Sequence, residues 1–327
     1  MKNNTIFTEL ENDIHTATLD EITKNKLFAN ILNLKKQKVN LMITGATGCG
    51  KSSTINAMFD VEVAKVGMGV DPETMDIEKY ELGNLVLWDS PGLGDGKEKD
   101  IKHSKDIVEK LNELDKEGNP LIDLVLVILD GGSRDLGTSY ELINNVIIPN
   151  LGENAKDRIL VAINQADVAM KGRHWDFEKN KPEATLVEFL NAKVASVEKR
   201  VKEATGVVIE PIYYSAGFKE EDEKQLPYNL SKLLYFIIKH TPDQKRLTFV
   251  DTTSKEKEVW SDNDEIEDYN LEIKKTFMKT ITEYATKGAD IGGDIGAIFG
   301  NTGRRIGSAI GGVVGAIGGG IKSLFGF

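Results

Sequence analysis

Gly45-Ala46-Thr47-Gly48-Cys49-Gly50-Lys51-Ser52 follows directly on the apolar run Val39 to Ile43. The octapeptide fits G-x-x-x-x-G-K-[ST], and its place between an expected strand and an expected helix is the context in which that pattern has a mechanism. Glycines let backbone N–H groups approach an anion, and the helix that starts near Lys51 adds the positive end of its dipole. Lys51 would reach the β and γ phosphates of a nucleoside triphosphate, and the Ser52 hydroxyl would ligate Mg²⁺. Gly45, Ala46, Thr47, Gly48, Cys49, Gly50, Lys51, Ser52 and Ser53 are therefore the expected phosphate-binding residues. A glycine-rich turn that matches the pattern by chance is the competing reading, and the downstream chain decides between the two.

Ser53 to Phe59 supplies a short helix with Ile55, Met58 and Phe59 as its apolar side. Val66-Gly67-Met68-Gly69-Val70-Asp71-Pro72-Glu73-Thr74 has no period and is broken by glycines and a proline. In a nucleotide switch such a loop supplies a threonine to Mg²⁺ and the γ-phosphate, and Thr74 is the best-placed candidate. Residues 77–82 and 85–90 read as two strands joined at Gly83-Asn84. The second ends in Asp89-Ser90-Pro91-Gly92. Its acidic group suits Mg²⁺ coordination through water, and the Gly92 amide is free to meet the γ-phosphate.

Helices are expected over Ile101 to Leu114, Leu136 to Ile148, Lys193 to Lys202 and Leu230 to His240. Leu121 to Leu129 is an apolar run of a length suited to a central parallel strand covered on both faces. The next buried strand, Ile159 to Ile163, runs into Asn164-Gln165-Ala166-Asp167. A carboxylate beside guanine accepts hydrogen bonds from the ring N–H and the amino group, whereas adenine offers the wrong edge, so Asp167 selects guanine. Asn164 would tie that loop back to the phosphate loop. A further strand, Val207 to Tyr214, ends in Ser215-Ala216, whose backbone N–H would meet the guanine carbonyl oxygen.

These five elements in order resemble the motif set of the translation-factor-related class of P-loop GTPases. The run TGATGCGKSSTINAMF with the DSPG and NQAD variants resembles the Era-like branch. Within it, VGMGVDPET and Gly172-Arg173-His174-Trp175-Asp176 resemble the bacterial YfjP/YeeP-type GTPases, relatives of the immunity-related and septin-like groups. The resemblance covers about residues 37 to 240. It implies an α/β fold of three layers, a mostly parallel sheet flanked by helices, with GTP or GDP and Mg²⁺ at the carboxyl ends of the strands. In those terms Lys51, Thr74 and Gly92 are the catalytic residues, and Ser52, Thr74 and Asp89 hold the metal. Asn164, Gln165, Asp167, Ser215 and Ala216 hold the base.

Leu93 stands where many GTPases carry a water-positioning glutamine, and it can neither donate nor accept a hydrogen bond. Hydrolysis should then be slow, or depend on a group supplied by dimerisation or by a partner. Gly48 replaces the asparagine of potassium-activated relatives, so potassium stimulation is not expected. Gln165 replaces the usual lysine, keeping the aliphatic stem over the base and losing the charge. Arg173 and His174 are one source of a catalytic cation, at the nucleotide or across a dimer interface; the alternative is a solvated loop anchored by Trp175.

Around this centre the chain of 327 residues divides into an N-terminal helical segment over 1–36, a GTPase domain over 37–242, a charged linker and helix over 243–287, and a glycine-zipper tail over 288–327. The first carries apolar residues at threes and fours from Ile6 to Leu34, expected to brace the nucleotide domain or to bind a partner. Asp251 to Asp268 is dense in charge and reads as exposed, with Trp260 its only large aromatic. Leu271 to Tyr284 reads as a short amphipathic helix. Gly288, Gly292, Gly296 and Gly300, then Gly303, Gly307, Gly311, Gly315 and Gly319, lie along one side of a helix. Disorder, packing on the domain or on another copy, and peripheral membrane association are the three readings of this tail. A net charge of −11 argues against general nucleic-acid binding. The single cysteine, Cys49, excludes an internal disulfide and suits a reducing cytoplasm.

Overall fold

The computed structural model describes residues 5–59, 76–94, 96–219, 224–289 and 295–309. Strands β1 (Val39–Gly45), β2 (Glu78–Leu82), β3 (Leu85–Asp89), β4 (Leu124–Asp130) and β5 (Ile159–Asn164) form one sheet. Beyond a small ribbon of β6 (Trp175–Asp176) and β7 (Lys181–Pro182), β8 (Ile212–Tyr213) completes it in the order β2-β3-β1-β4-β5-β8. Only β2 is antiparallel. The order reverses around β1, so a crevice opens at the carboxyl ends of β1 and β4, where ligands bind in such sheets.

Alternation along the buried strands builds two cores. Leu124, Leu126 and Ile128 of β4 enter one, and Val125, Val127 and Leu129 the other. An unbroken apolar run is what a strand covered on both sides requires. The second core is closed by α4 (Lys97–Asn112), by the helical run α5 (Gly137–Glu141) and α6 (Ile148–Leu151) with its intervening π turn, and by α8 (Ala184–Thr205), which follows the single turn α7 (Ala155–Arg158). The first is closed by α1 (Ile6–Thr16), α2 (Glu21–Lys36), α3 (Lys51–Met58), α9 (Leu230–His240), α10 (Tyr269–Thr280), α11 (Ile295–Ile298) and α12 (Gly300–Ala309). The N-terminal helices thus brace the sheet.

Two expectations change. The strand foreseen over Val207 to Tyr214 shrinks to Ile212–Tyr213, because Pro211 has no N–H to give to a ladder. The charge-dense stretch 251–268 is exposed only in part: residues 255–258 and 265–268 face solvent, whereas Trp260 is 1% exposed and its indole N–H donates to the Ser254 carbonyl at 3.0 Å. Its acids have structural partners. Asp264 pairs with Lys232 at 2.6 Å and accepts from Asn229, and Asp262 accepts from Asn180 at 2.8 Å.

Of the glycine-rich tail, only 295–309 is described beyond Ala289, and it packs on α1 and α10. The packed face is Phe299, Thr302 and Ile306, each at most 1% exposed. The glycines lie beside this face: a side chain at Gly300 or Gly307 would meet nothing within 4 Å, and one at Gly303 would come 3.9 Å from the Met278 sulfur. Asp13, 1% exposed, fastens the segment, its carboxylate accepting from the Thr302 N–H at 2.8 Å, the Thr302 hydroxyl at 2.7 Å and Asn301 at 2.7 Å. The remainder of the proposed zipper lies outside the described residues. Among those described, no helix is long and apolar enough to cross a membrane.

Asp13→Ala leaves those donors unpaired and should lower unfolding stability by about 2 kcal/mol. Gly307→Ala should raise it, by up to about 1 kcal/mol, because the open helical site gains only propensity. Urea denaturation of both variants checks the pair, and a destabilised Gly307→Ala would show that the glycine face is packed after all.

Candidate functional site

The phosphate loop leaves β1 at Gly45 and enters α3 at Lys51. Gly45 is needed because a Cβ there would sit 2.2 Å from the Ile128 carbonyl oxygen. Gly50, at φ +86°, lies against the Asn164 side chain, which a Cβ would approach to 2.2 Å. That contact places the base loop. Asn164, 2% exposed, donates from Nδ2 to the Cys49 carbonyl at 3.0 Å and accepts at Oδ1 from the Ala216 N–H at 2.9 Å. One amide therefore joins the phosphate loop, the loop after β5 and the loop after β8. Gln165 adds a second tie, Nε2 donating to the Gly48 carbonyl at 3.0 Å from a left-handed backbone at φ 59°. Its role in the structure is to grip the phosphate loop, which the sequence reading of a stem over the base did not foresee.

Asp167 is 7% exposed at the end of the same turn. The expected donors to a guanine carbonyl are engaged: the Ser215 N–H donates to the Tyr228 carbonyl at 3.0 Å and the Ala216 N–H to Asn164.

On the other side the loop is closed by the chain after β3. The Thr47 N–H donates to the Leu93 carbonyl at 3.0 Å and the Leu93 N–H to the Gly45 carbonyl at 3.3 Å. Leu93 itself is 4% exposed and turned into the second core. Gly92 fits only as glycine, since a Cβ would lie 2.4 Å from the Thr47 hydroxyl. Lys51 folds back, its ammonium donating to the Ala46 carbonyl at 3.2 Å and to that of Gly45 at 3.5 Å.

The residues fit a divalent cation. Asp89 is 1% exposed, its Oδ1 has no hydrogen-bond partner among the described residues, and burial pushes its carboxyl up to about 6 against the opposing Lys51 ammonium. A buried acceptor lacking a donor is what a metal-bound water supplies. Ser52 stands half-buried on the first turn of α3, and among the described residues no trio of His, Cys, Asp or Glu side chains converges. A metal here would thus draw most of its ligands from phosphate and water. Thr74, the expected third protein ligand, and the loop that carries it lie outside the described residues, as does the VGMGVDPET motif.

With this geometry in place, the family described as 50S ribosome-binding GTPase matches residues 40–165. That segment is a P-loop GTPase domain. The uncharacterized protein YfjP of Escherichia coli is 29% identical over 173 residues, 52% of this chain and 55% of its own length. YkfA of the same organism is 29% identical over 157 residues, 47% and 50% of the two chains. The chain therefore spans about half the length of these curated relatives. The structure of Toc33 from Arabidopsis thaliana with GDP and Mg²⁺ superimposes with a TM-score of 0.41 at 16% identity, covering 76% of this chain and 98% of that one.

Two residues of the GTPase domain escaped the motif reading. His103, 1% exposed on α4, approaches the Gly92 carbonyl with Nδ1 at 3.1 Å. It holds the glycine that should meet a γ-phosphate. The only signal is its spacing with Ile107 and Leu111, which puts it on the buried stripe of an otherwise charged helix. Lys193 donates to three carbonyls after β4, those of Asp130, Gly131 and Ser133, at 3.1, 2.7 and 2.7 Å. Arg173 and His174 are exposed; His174 pairs with Glu183 at 3.0 Å, and Trp175 is buried against Tyr228. The anchored-loop reading fits these positions.

Gly48→Ala and Gly50→Ala share a left-handed backbone, at φ +76° and +86°, but only Gly50 has a neighbour. The second substitution should therefore cost about 1–2 kcal/mol more in thermal unfolding, because Asn164 must give up its bonds. Equal losses would mean that Asn164 is not what fixes the loop.

Proposed function

We propose that the chain is a Mg²⁺-dependent GTP-binding switch that hydrolyses GTP slowly on its own and faster when a second copy or a partner supplies the missing group. The observation that carries this reading is the Asn164 bridge, which brings the base-selecting Asp167 and the phosphate loop into one rigid unit. Lys51, Ser52, Thr74 and Asp89 would hold Mg²⁺ and the phosphates. The Gly92 amide would meet the γ-phosphate, and positioning with charge neutralisation would be the catalysis.

Entry of a triphosphate has to displace the Leu93 carbonyl from Thr47 and turn Lys51 outward. Those contacts are worth on the order of 1 kcal/mol each, whereas micromolar binding supplies about 8 kcal/mol. Nucleotide therefore wins, and loss of the γ-phosphate lets the strap at Gly92 and Leu93 return. Leu93, directly after Gly92, has no hydrogen-bonding side chain to position water, which is why hydrolysis should be slow.

Asp167→Asn should weaken GTP binding by about a hundredfold, the loss of two hydrogen bonds to one carboxylate. Its affinity for ATP should be unchanged. Single-turnover hydrolysis at several protein concentrations tests the second half: a rate near 10⁻³ s⁻¹ when dilute, climbing with concentration, assigns activation to self-association. A parent protein that prefers ATP, or that hydrolyses GTP rapidly at all dilutions, would sink the reading.

A further inference from the structure

Beside the base loop lies a cavity of about 940 Å³ that includes none of the phosphate-loop residues, Asn164, Asp167 or Ser215. Its walls come from the turn after β4, from the loop at Met170 to Arg173 and from α8. Arg134, Lys171, Arg173, Lys193 and Arg200 line it, against the single carboxylate of Asp135. The whole chain has 41 basic and 52 acidic residues, so this is a local inversion of its charge.

Lys193 is committed to its three carbonyls and fixes the wall that bears Arg134. Asp135 is occupied too, accepting the Gly137 N–H at 2.8 Å. Arg200 lies 5.3 Å from the centre of the Tyr140 ring. Arg134, Lys171 and Arg173 are exposed and form no ion pair among the described residues. Like charges gathered around a concavity repel unless an anion joins them. The loop that presents Lys171 and Arg173 is also strained: Met170 and Lys171 hold left-handed backbones at φ 54° and 63°, and His174 at 65°. Such strain persists where the surroundings impose it, characteristically at ligand sites.

We propose that this cavity is a second anion site, which takes a small ligand carrying two or more phosphate groups and does so independently of the guanine nucleotide. Its volume falls within the range of small-molecule pockets. The guanidinium groups of Arg134 and Arg173 suit bidentate phosphate contacts. A concave site on an acidic chain favours a compact polyanion over the backbone of a nucleic acid.

The test is calorimetric titration of the full chain with inorganic tripolyphosphate, in excess GDP with free Mg²⁺ buffered. One saturable site should appear, persist as GDP is raised, and weaken about tenfold or more in Arg134→Gln/Arg173→Gln. The charge-preserving pair Arg134→Lys/Arg173→Lys should bind more weakly than the parent and more tightly than the glutamine pair, and thermal melts confirm that both variants fold. Absence of saturable binding, binding abolished by GDP, an unaffected glutamine pair, or binding of polyglutamate or RNA without tripolyphosphate would each overturn the proposal. GDP binding is measured separately, so failure here leaves the switch reading standing.

Discussion

The Asn164 carboxamide is the interaction on which the nucleotide site depends. It is buried between three loops that belong to three different strands, and it meets each as a rigid group with one donor side and one acceptor side. Its carbonyl side orders the loop after β8; its amino side orders the phosphate loop. A buried amide of this kind is costly to unpair, so the three loops hold one another in register even without ligand. Gly50 is part of the same constraint, because any side chain there would occupy the space of the amide.

That rigidity is confined to the base end. At the phosphate end the loop is closed by contacts that a ligand replaces one for one: a backbone carbonyl on Thr47 and two carbonyls on Lys51. The same atoms are the ones expected to face phosphate oxygens. The bonds of Asn164 and Gln165 join the base loop to the phosphate loop, while those at Thr47 and Lys51 are the ones that the proposed nucleotide would exchange. His103 joins the strap at Gly92 to α4 through the Gly92 carbonyl.

How much of this could be read in the sequence follows from locality. The phosphate loop, the DSPG turn and the NQAD turn are short, and their chemistry lies within a few residues, so their positions and the alternating fold were legible. Gln165, Leu93 and His103 were not, because what matters is a partner far off in sequence: Gly48, Thr47 and Gly92 respectively. Charge density marked the exposed residues 255–258 and 265–268 but not Asp262 and Asp264, which bond to Asn180, Asn229 and Lys232. The glycine period is described continuously only over α11 and α12. On α12 the glycines at 300 and 307 face open space and that at 303 approaches Met278, while the spacing Phe299, Thr302 and Ile306 marks the side that is most buried.

The docked segment has a further consequence for how the termini relate to the nucleotide. Asp251 accepts the Ile6 N–H at 2.7 Å with one oxygen and the Arg305 guanidinium at 2.9 Å with the other. Three residues on, the Ser254 N–H donates to the Met58 carbonyl at 2.8 Å, at the end of the helix that begins with Lys51. Helices α1 and α12 and the phosphate-loop helix thus converge on one stretch that composition marks as solvent-exposed. Removing this stretch would open the first core, because Val259 and Trp260 are buried members of it, next to Phe249 and Val250 just ahead. It is as much a part of the GTPase domain's packing as β1.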